Sequence, residues 1–327
     1  RFEILDDQRL TIHATTRIDT GVYDQRHHCL HLMMGVLEET LRIAASAYGR
    51  RCRMTLREQD DAGLPVFDVE LPPDPDVRED PLLPYLLSRT TQRKAYSTRP
   101  LADAALAALN DSVGDGFEVR WFRSWSERLG MAKINFGFAK VRMTQKACHD
   151  VHCRVIDWGQ RESRDRLPGQ GLGMDPLMQR LTRWLVQDWR RVDFMNRYLA
   201  GSLLPRVQLE LIPGVRCGGH FALVADTPPG GIEDRMRAGR AFQRFWLTAA
   251  RLGLQFQPGF TPILFGGYVR DGYPFLEDAK GVEQARQMTR RFDQLMGGDD
   301  VGSRVVALGR VGYGRKPVSR STRLSVD

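Results

Sequence analysis

Ser88-Arg89-Thr90-Thr91-Gln92-Arg93-Lys94-Ala95-Tyr96 places a guanidinium, a hydroxyl and a second guanidinium at every second position. In an extended chain, residues 89, 91 and 93 project from one face, whereas in a helix two residues span about 200° and would scatter them. The extended reading makes an anion cradle, in which each charge-assisted hydrogen bond contributes about 1.5–3 kcal/mol. Taken alone, the same residues also read as a solvated basic turn.

The chain before the cradle opens as a hairpin, Phe2 to Leu5 and Leu10 to His13 around Asp6-Asp7. Asp24 can cap a helix in which Leu30, Met33, Met34, Leu37, Leu41, Ala44, Ala45 and Tyr48 keep a helical period up to Gly49. Strands are expected at 53–57 and 66–71, followed by a proline-rich linker at 71–76. Asp80-Pro81 starts a short helix that leads into the cradle.

Beyond the cradle, the pattern predicts a helix from Pro100 to Leu109 and a strand over 117–122. A mainly helical stretch follows from Ser124 to Leu199, broken at Pro168-Gly169-Gln170-Gly171. Then come a strand over 218–226, helices over 233–252 and 282–296, and a last strand over 304–313. Helices and strands alternate without a regular βαβ beat, which points to an α+β fold. Leu41 to Gly49 and Trp246 to Gly253 echo each other as helix, glycine and strand, a device that also arises by chance.

The chain has 327 residues, 42% of them hydrophobic and 27% charged, enough for one large domain or two. No apolar run reaches 18 residues and the start lacks an apolar signal segment, so a cytoplasmic address and no membrane partner are expected. The net charge of +8 is scattered among acidic residues, which argues against nucleic acid and favours anionic small molecules. Five cysteines at 29, 52, 148, 153 and 217 do not form a disulfide framework. Cys148-His149-Asp150-Val151-His152-Cys153 has helical metal-ligand spacing, but its only counterpart is the distant His27 and His31, so no metal is expected.

Arg89-x-Thr91-x-Arg93 after a short helix resembles the FMN-binding opening of the nitroreductase family. Ala238 to Pro258 is similar to that family's later helix, glycine turn and strand, and Gly309 to Tyr313 with Arg320 and Arg323 is similar to its closing strand and basic tail. The chain is much longer than one ordinary subunit of that family, and with its internal echo it resembles the twin-lobed variant, an intramolecular pseudo-dimer. That reading divides the chain into residues 1–78 and 79–327, the second half carrying most of the FMN site. The Pro-Ser-x-x-Asn-x-Gln-Pro-Trp loop that usually precedes the first strand is missing, which reads as a sequence trimmed from a longer polypeptide. An upstream adenylating domain is one partner the resemblance implies, and a homodimer is another arrangement left open.

By resemblance, Arg89 and Thr91 hold the FMN phosphate and ribityl chain, with Arg320 or Arg323 closing over the phosphate. Arg320 and Arg323 read equally as a loose basic tail. Arg93 sits near the flavin pyrimidine, and the Gly259 N–H meets N5. The implied activity is ping-pong transfer of hydride from NAD(P)H through FMN to an electron-poor small-molecule acceptor, with no catalytic side chain. Storage of flavin without turnover, aided by the tryptophan-bearing segment 158–199, is the alternative, as is an accessory domain that binds no flavin.

Overall fold

The computed structural model describes residues 1–15, 21–60 and 63–322. Strands β1 (Phe2–Ile4), β2 (Arg9–His13), β3 (Arg53–Gln59) and β4 (Pro65–Glu70) form an antiparallel sheet in the order β1-β2-β4-β3. Helix α1 (His28–Ser46) links β2 to β3. Asp24 does cap it, but from three residues outside the N-cap His27: its two carboxylate oxygens accept the N–H groups of Cys29 and Leu30 at 2.8 Å.

The expected helix after Asp80-Pro81 is only a 3₁₀ turn at Leu83–Tyr85. A helix capped by Asp80 would need the Pro84 N–H for the Asp80 carbonyl, but Pro84 has none and its ring would meet that carbonyl. Helix α2 (Asp103–Asp111) leads to β5 (Phe117–Phe122), and α3 (Trp125–Thr144) starts at a capping box built by Ser124 and Glu127. The segment after it contains α4 (Lys146–Val155), the two-residue strands β6 (Ile156–Asp157), β7 (Glu162–Ser163) and β8 (Leu167–Pro168), α5 (Pro176–Leu185) and α6 (Trp189–Tyr198). A continuous helical stretch follows, consisting of α7 (Leu203–Arg206), a π-helical segment at Val207–Leu211 and α8 (Ile212–Val215).

The second sheet is made by β5, β9 (Gly219–Ala225), β10 (Gln255–Pro258) and β11 (Val305–Gly312) in the antiparallel order β10-β11-β9-β5. Its central strands read as near-continuous apolar runs because both of their faces are covered. One face carries Phe221, Leu223 and Val311 against α2 and α9 (Ile232–Arg251). The opposite face carries Ala222, Val224 and Leu308 against α3, α10 (Thr261–Arg270) and α11 (Ala279–Met296). Phe221, Phe242, Phe245 and Phe256 are fully buried, each contributing about 1.5–3 kcal/mol. Helix α12 (Asp299–Arg304) precedes β11, and β12 (Arg320–Ser321) pairs with β7.

The two sheets share one topology. In each, the second and third strands are joined through a long helix, α1 or α9, and the third strand lies at the edge beside the fourth. Both helices end before a glycine in the left-handed region, Gly49 at φ +59° and Gly253 at φ +70°. Fourteen residues upstream of each stands the glycine where the helices touch. A Cβ on Gly35 would lie 1.9 Å from the Met236 carbonyl oxygen, and one on Gly239 would lie 2.0 Å from that of Leu32. Each glycine meets the carbonyl three residues before the other, a reciprocal contact of the kind two-fold symmetry produces. Beside it, Glu38 pairs with Arg240, and Glu39 with Arg244.

Candidate functional site

One row across the second sheet sets the floor of a cavity. Arg310 of β11 is flanked in register by Gln257 of β10 and His220 of β9. All three line a space of about 510 Å³, within the range of small-molecule sites. Arg93, the turn Pro258-Gly259-Phe260 and the start of α10 add to its wall, and helices α3 to α8 lie over it.

Arg310 is 4% exposed and is held by protein carbonyls instead of a carboxylate. Its Nε donates to Gln257 Oε1 at 2.8 Å, and its Nη2 donates to the carbonyls of Arg93 at 2.7 Å and Lys94 at 2.9 Å. The guanidinium also sits 4.0 Å from the centre of the Tyr96 ring, while its Nη1 is buried with no hydrogen-bond partner. Desolvation lowers its pKa. Arg93 is half-buried, donates from Nη1 to the Gly171 carbonyl at 3.2 Å, and has its pKa lowered by desolvation and by Arg310. Among the described residues, neither arginine forms an ion pair.

The far wall holds a second polar group. Arg142 of α3 pairs with Glu210, which the π-helical segment turns into the cavity. Such segments recur at functional sites. Burial pushes the Glu210 carboxyl up, and the Arg142 guanidinium pulls it back. Tyr23, from the chain before α1, contacts His152 Nε2 through its hydroxyl at 2.8 Å. Burial drives His152 down to about 3, so the ring is neutral and shares a hydrogen bond with the tyrosine hydroxyl whose direction follows the tautomer. The cavity wall therefore carries three arginines against one glutamate, an excess of positive charge suited to an anionic guest.

The structure separates the residues of the expected cradle. Arg93 reaches the cavity, but Arg89 turns away and lies 3.9 Å from the centre of the Trp246 ring. The regular alternation fails because this segment is irregular: Gln92 is pulled inward, its N–H donating to the Phe256 carbonyl and its side chain to that of Arg315. Thr91 is half-buried and does not line the cavity. Arg320 is exposed and donates to the Leu87 carbonyl at 3.0 Å, near Arg89 in sequence but away from the cavity wall. Arg323 lies outside the described residues.

Gly259 lines the cavity, yet its N–H donates to the Leu308 carbonyl at 2.9 Å and is not available to a guest. The neighbouring Thr261 heads α10, where Pro262 carries no N–H and the Ile263 and Leu264 N–H groups donate to the Phe260 carbonyl at 3.0 Å. The histidines of the Cys148 to Cys153 stretch turn apart: His152 meets Tyr23, while His149 contacts the Val186 carbonyl at 2.9 Å.

Tyr23, Arg142, His152, Glu210, Gln257 and Arg310 are absent from the sequence-level site. Arg310 had a readable signal, a lone charge inside the apolar run Val305–Gly312. Arg142 and Glu210 had none, because nothing in the sequence announces a pairing over that separation.

No family model matches this chain, and no curated protein matches it. Among solved structures, a nitroreductase-like family protein from Bacillus cereus is similar at a TM-score of 0.37 and 12% identity, over 76% of this chain and 92% of that one. No helix among the described residues is long and apolar enough to cross a membrane.

Proposed function

We propose that the cavity beside Arg93 and Arg310 holds FMN, and that the protein is an FMN-dependent oxidoreductase of the nitroreductase type. NAD(P)H would serve as its donor and an electron-poor small molecule as its acceptor. The observation that carries this reading is a pair of desolvated arginines without carboxylate partners in one ligand-sized cavity. FMN, when bound, supplies hydride acceptance and donation at N5.

The chain's own residues supply binding and electrostatics. Arg93 offers a cation to the electron-rich edge of an anionic ring, where it favours the state that carries more negative charge. Arg310 fixes the Arg93-Lys94 backbone and thereby the position of that cation. Thr261 presents the positive end of α10 to the same space. Arg89 lies over the Trp246 ring and Arg320 donates to the Leu87 carbonyl, both off the cavity wall, so Arg93 and Arg310 are the cations left to meet an anionic guest there.

The matching sheet topologies and the reciprocal glycine contact support a pseudo-dimer of two fused lobes, divided near residue 78. Tyr23 from the first lobe then contributes to a cavity floored by the second. The helices over the cavity favour a second reading, flavin held without turnover. Anaerobic addition of NADPH to FMN-loaded protein separates the two. Bleaching of the flavin band supports the oxidoreductase, and persistence supports storage. Protein that takes up no FMN at all matches the accessory-domain reading and ends both. A cytoplasmic setting and an upstream adenylating partner belong to this proposal as well.

A further inference from the structure

Helix α5 is strongly amphipathic, but only half of its apolar arc is used by the fold. Met178 is buried and Leu185 lines the cavity, whereas Leu177, Leu181 and Trp184 follow one another at i, i+4 and i+7 on the outside. Their exposures are 77%, 46% and 51%. A helix normally turns its apolar stripe to the core, so an outward stripe of this size marks a contact surface.

Helix α6 packs against α5 and repeats the arrangement. Phe194 and Tyr198 are exposed, with their rings 5.0 Å apart, and Leu199, Leu203 and Leu204 continue the exposed apolar surface. Arginines border it. Between residues 176 and 198, Arg180, Arg183, Arg190, Arg191 and Arg197 stand against Asp188 and Asp193. Asp188 is occupied in capping α6, and Asp193 pairs with Arg197. Arg191 spans the two helices, its guanidinium 4.7 Å from the centre of the Trp184 ring.

We propose that the α5–α6 face docks on an anionic lipid surface. Exposed Leu, Trp and Phe beside arginines is the composition of helices that lie in the headgroup region, where apolar side chains enter the acyl boundary and cations meet lipid phosphate. Charge favours this occupant over a second copy of the chain, since two such basic faces would repel when brought together. This replaces the sequence-level expectation of no membrane partner, which rested on hydropathy runs and could not register which side of a ten-residue helix is left uncovered.

The test is co-sedimentation of the full chain with vesicles of equimolar phosphatidylglycerol and phosphatidylcholine, and with phosphatidylcholine alone. The chain is expected to pellet with the mixed vesicles and to be released as NaCl is raised. The variants L177S/L181S/W184S and R180E/R183E are each expected to reduce the bound fraction about tenfold or more. Far-UV circular dichroism and melting verify that both variants remain folded. Because all five positions are exposed, at least the charge-reversal variant should keep the native melting profile. Failure of the chain to bind the mixed vesicles, or undiminished binding by folded variants, overturns the proposal. So does a concentration-dependent dimer, seen by sedimentation velocity, that L177S/L181S/W184S dissolves in a chain that binds no vesicles.

Discussion

The pair Glu210 and Arg142 shows how a single residue can be tied to both stability and site. Neither partner reaches water freely, and the Arg142 Nε is buried without a hydrogen bond. Removing the carboxylate charge leaves a buried guanidinium unopposed, which typically costs about 3–5 kcal/mol. Glu210→Gln is therefore expected to lower unfolding stability by about that much in a denaturant titration. A cost under about 1 kcal/mol would mean that water or another acceptor reaches Arg142. Arg89 belongs to a different setting. Its contact with Trp246 lies on the α9 side of the sheet, so Arg89→Met should leave the geometry around Arg93 intact. Measured FMN affinity should then fall by less than for a change at Arg93, which lines the cavity.

At the scale of elements, the crossing of α1 and α9 is the contact most sensitive to one methyl group. A Cβ at Gly35 or Gly239 would fall well inside contact distance of a backbone carbonyl, which cannot swing aside as a side chain can. Gly35→Ala and Gly239→Ala are each expected to cost about 1–3 kcal/mol, as overpacking does. Their double variant should cost less than the sum, because one displacement of the helices relieves both clashes. Chemical denaturation of the four proteins measures this, and strict additivity would show that the two contacts are independent.

The same elements show what the sequence could disclose. Helix α1 was legible because seven of the eight apolar residues read for it, Leu30 to Ala45, keep its period, whereas Tyr48 falls past its end and is exposed, and β9 and β11 were legible as apolar runs. Helix α10 was missed although Pro262 in its first turn is a start signal, because the preceding Pro258-Gly259 reads as a loop. The helix placed after Asp80-Pro81 shrank to a turn at Pro84. The cradle was read as two converging arginines, but only Arg93 enters the cavity. Side-chain direction there is set by Gln92, whose bonds to Phe256 and Arg315 come from distant parts of the chain. Tyr23 reaches the site only because the fold brings the chain before α1 against α4, and no local pattern encodes that meeting.

For the whole molecule, histidines drawn away from water contribute to the response to acid. Burial lowers His28 and His220 to about 4 and His152 to about 3, from ordinary values near 6.5. The unfolded chain therefore binds protons that the folded chain refuses once pH falls below 6.5. Their contribution is fully present above pH 6.5, is lost progressively as pH falls towards 4, and has the same sign for all three. Melting temperature should be flat from pH 8 to 7 and fall steadily from pH 6.5 to 4.5. A flat profile through that second window would mean that these rings are reached by water or by a counter-charge.

The fold assembles the proposed FMN cavity from both ends of the chain, Tyr23 at one and Arg310 at the other. The most direct test of that cavity is fluorescence titration of FMN into the protein and into Arg93→Met, with circular dichroism confirming that the variant keeps its fold. The account predicts saturable binding of one FMN per chain, and a dissociation constant raised about tenfold or more when the guanidinium is removed. No saturable binding by the native protein, or equal affinity in the folded variant, would contradict it.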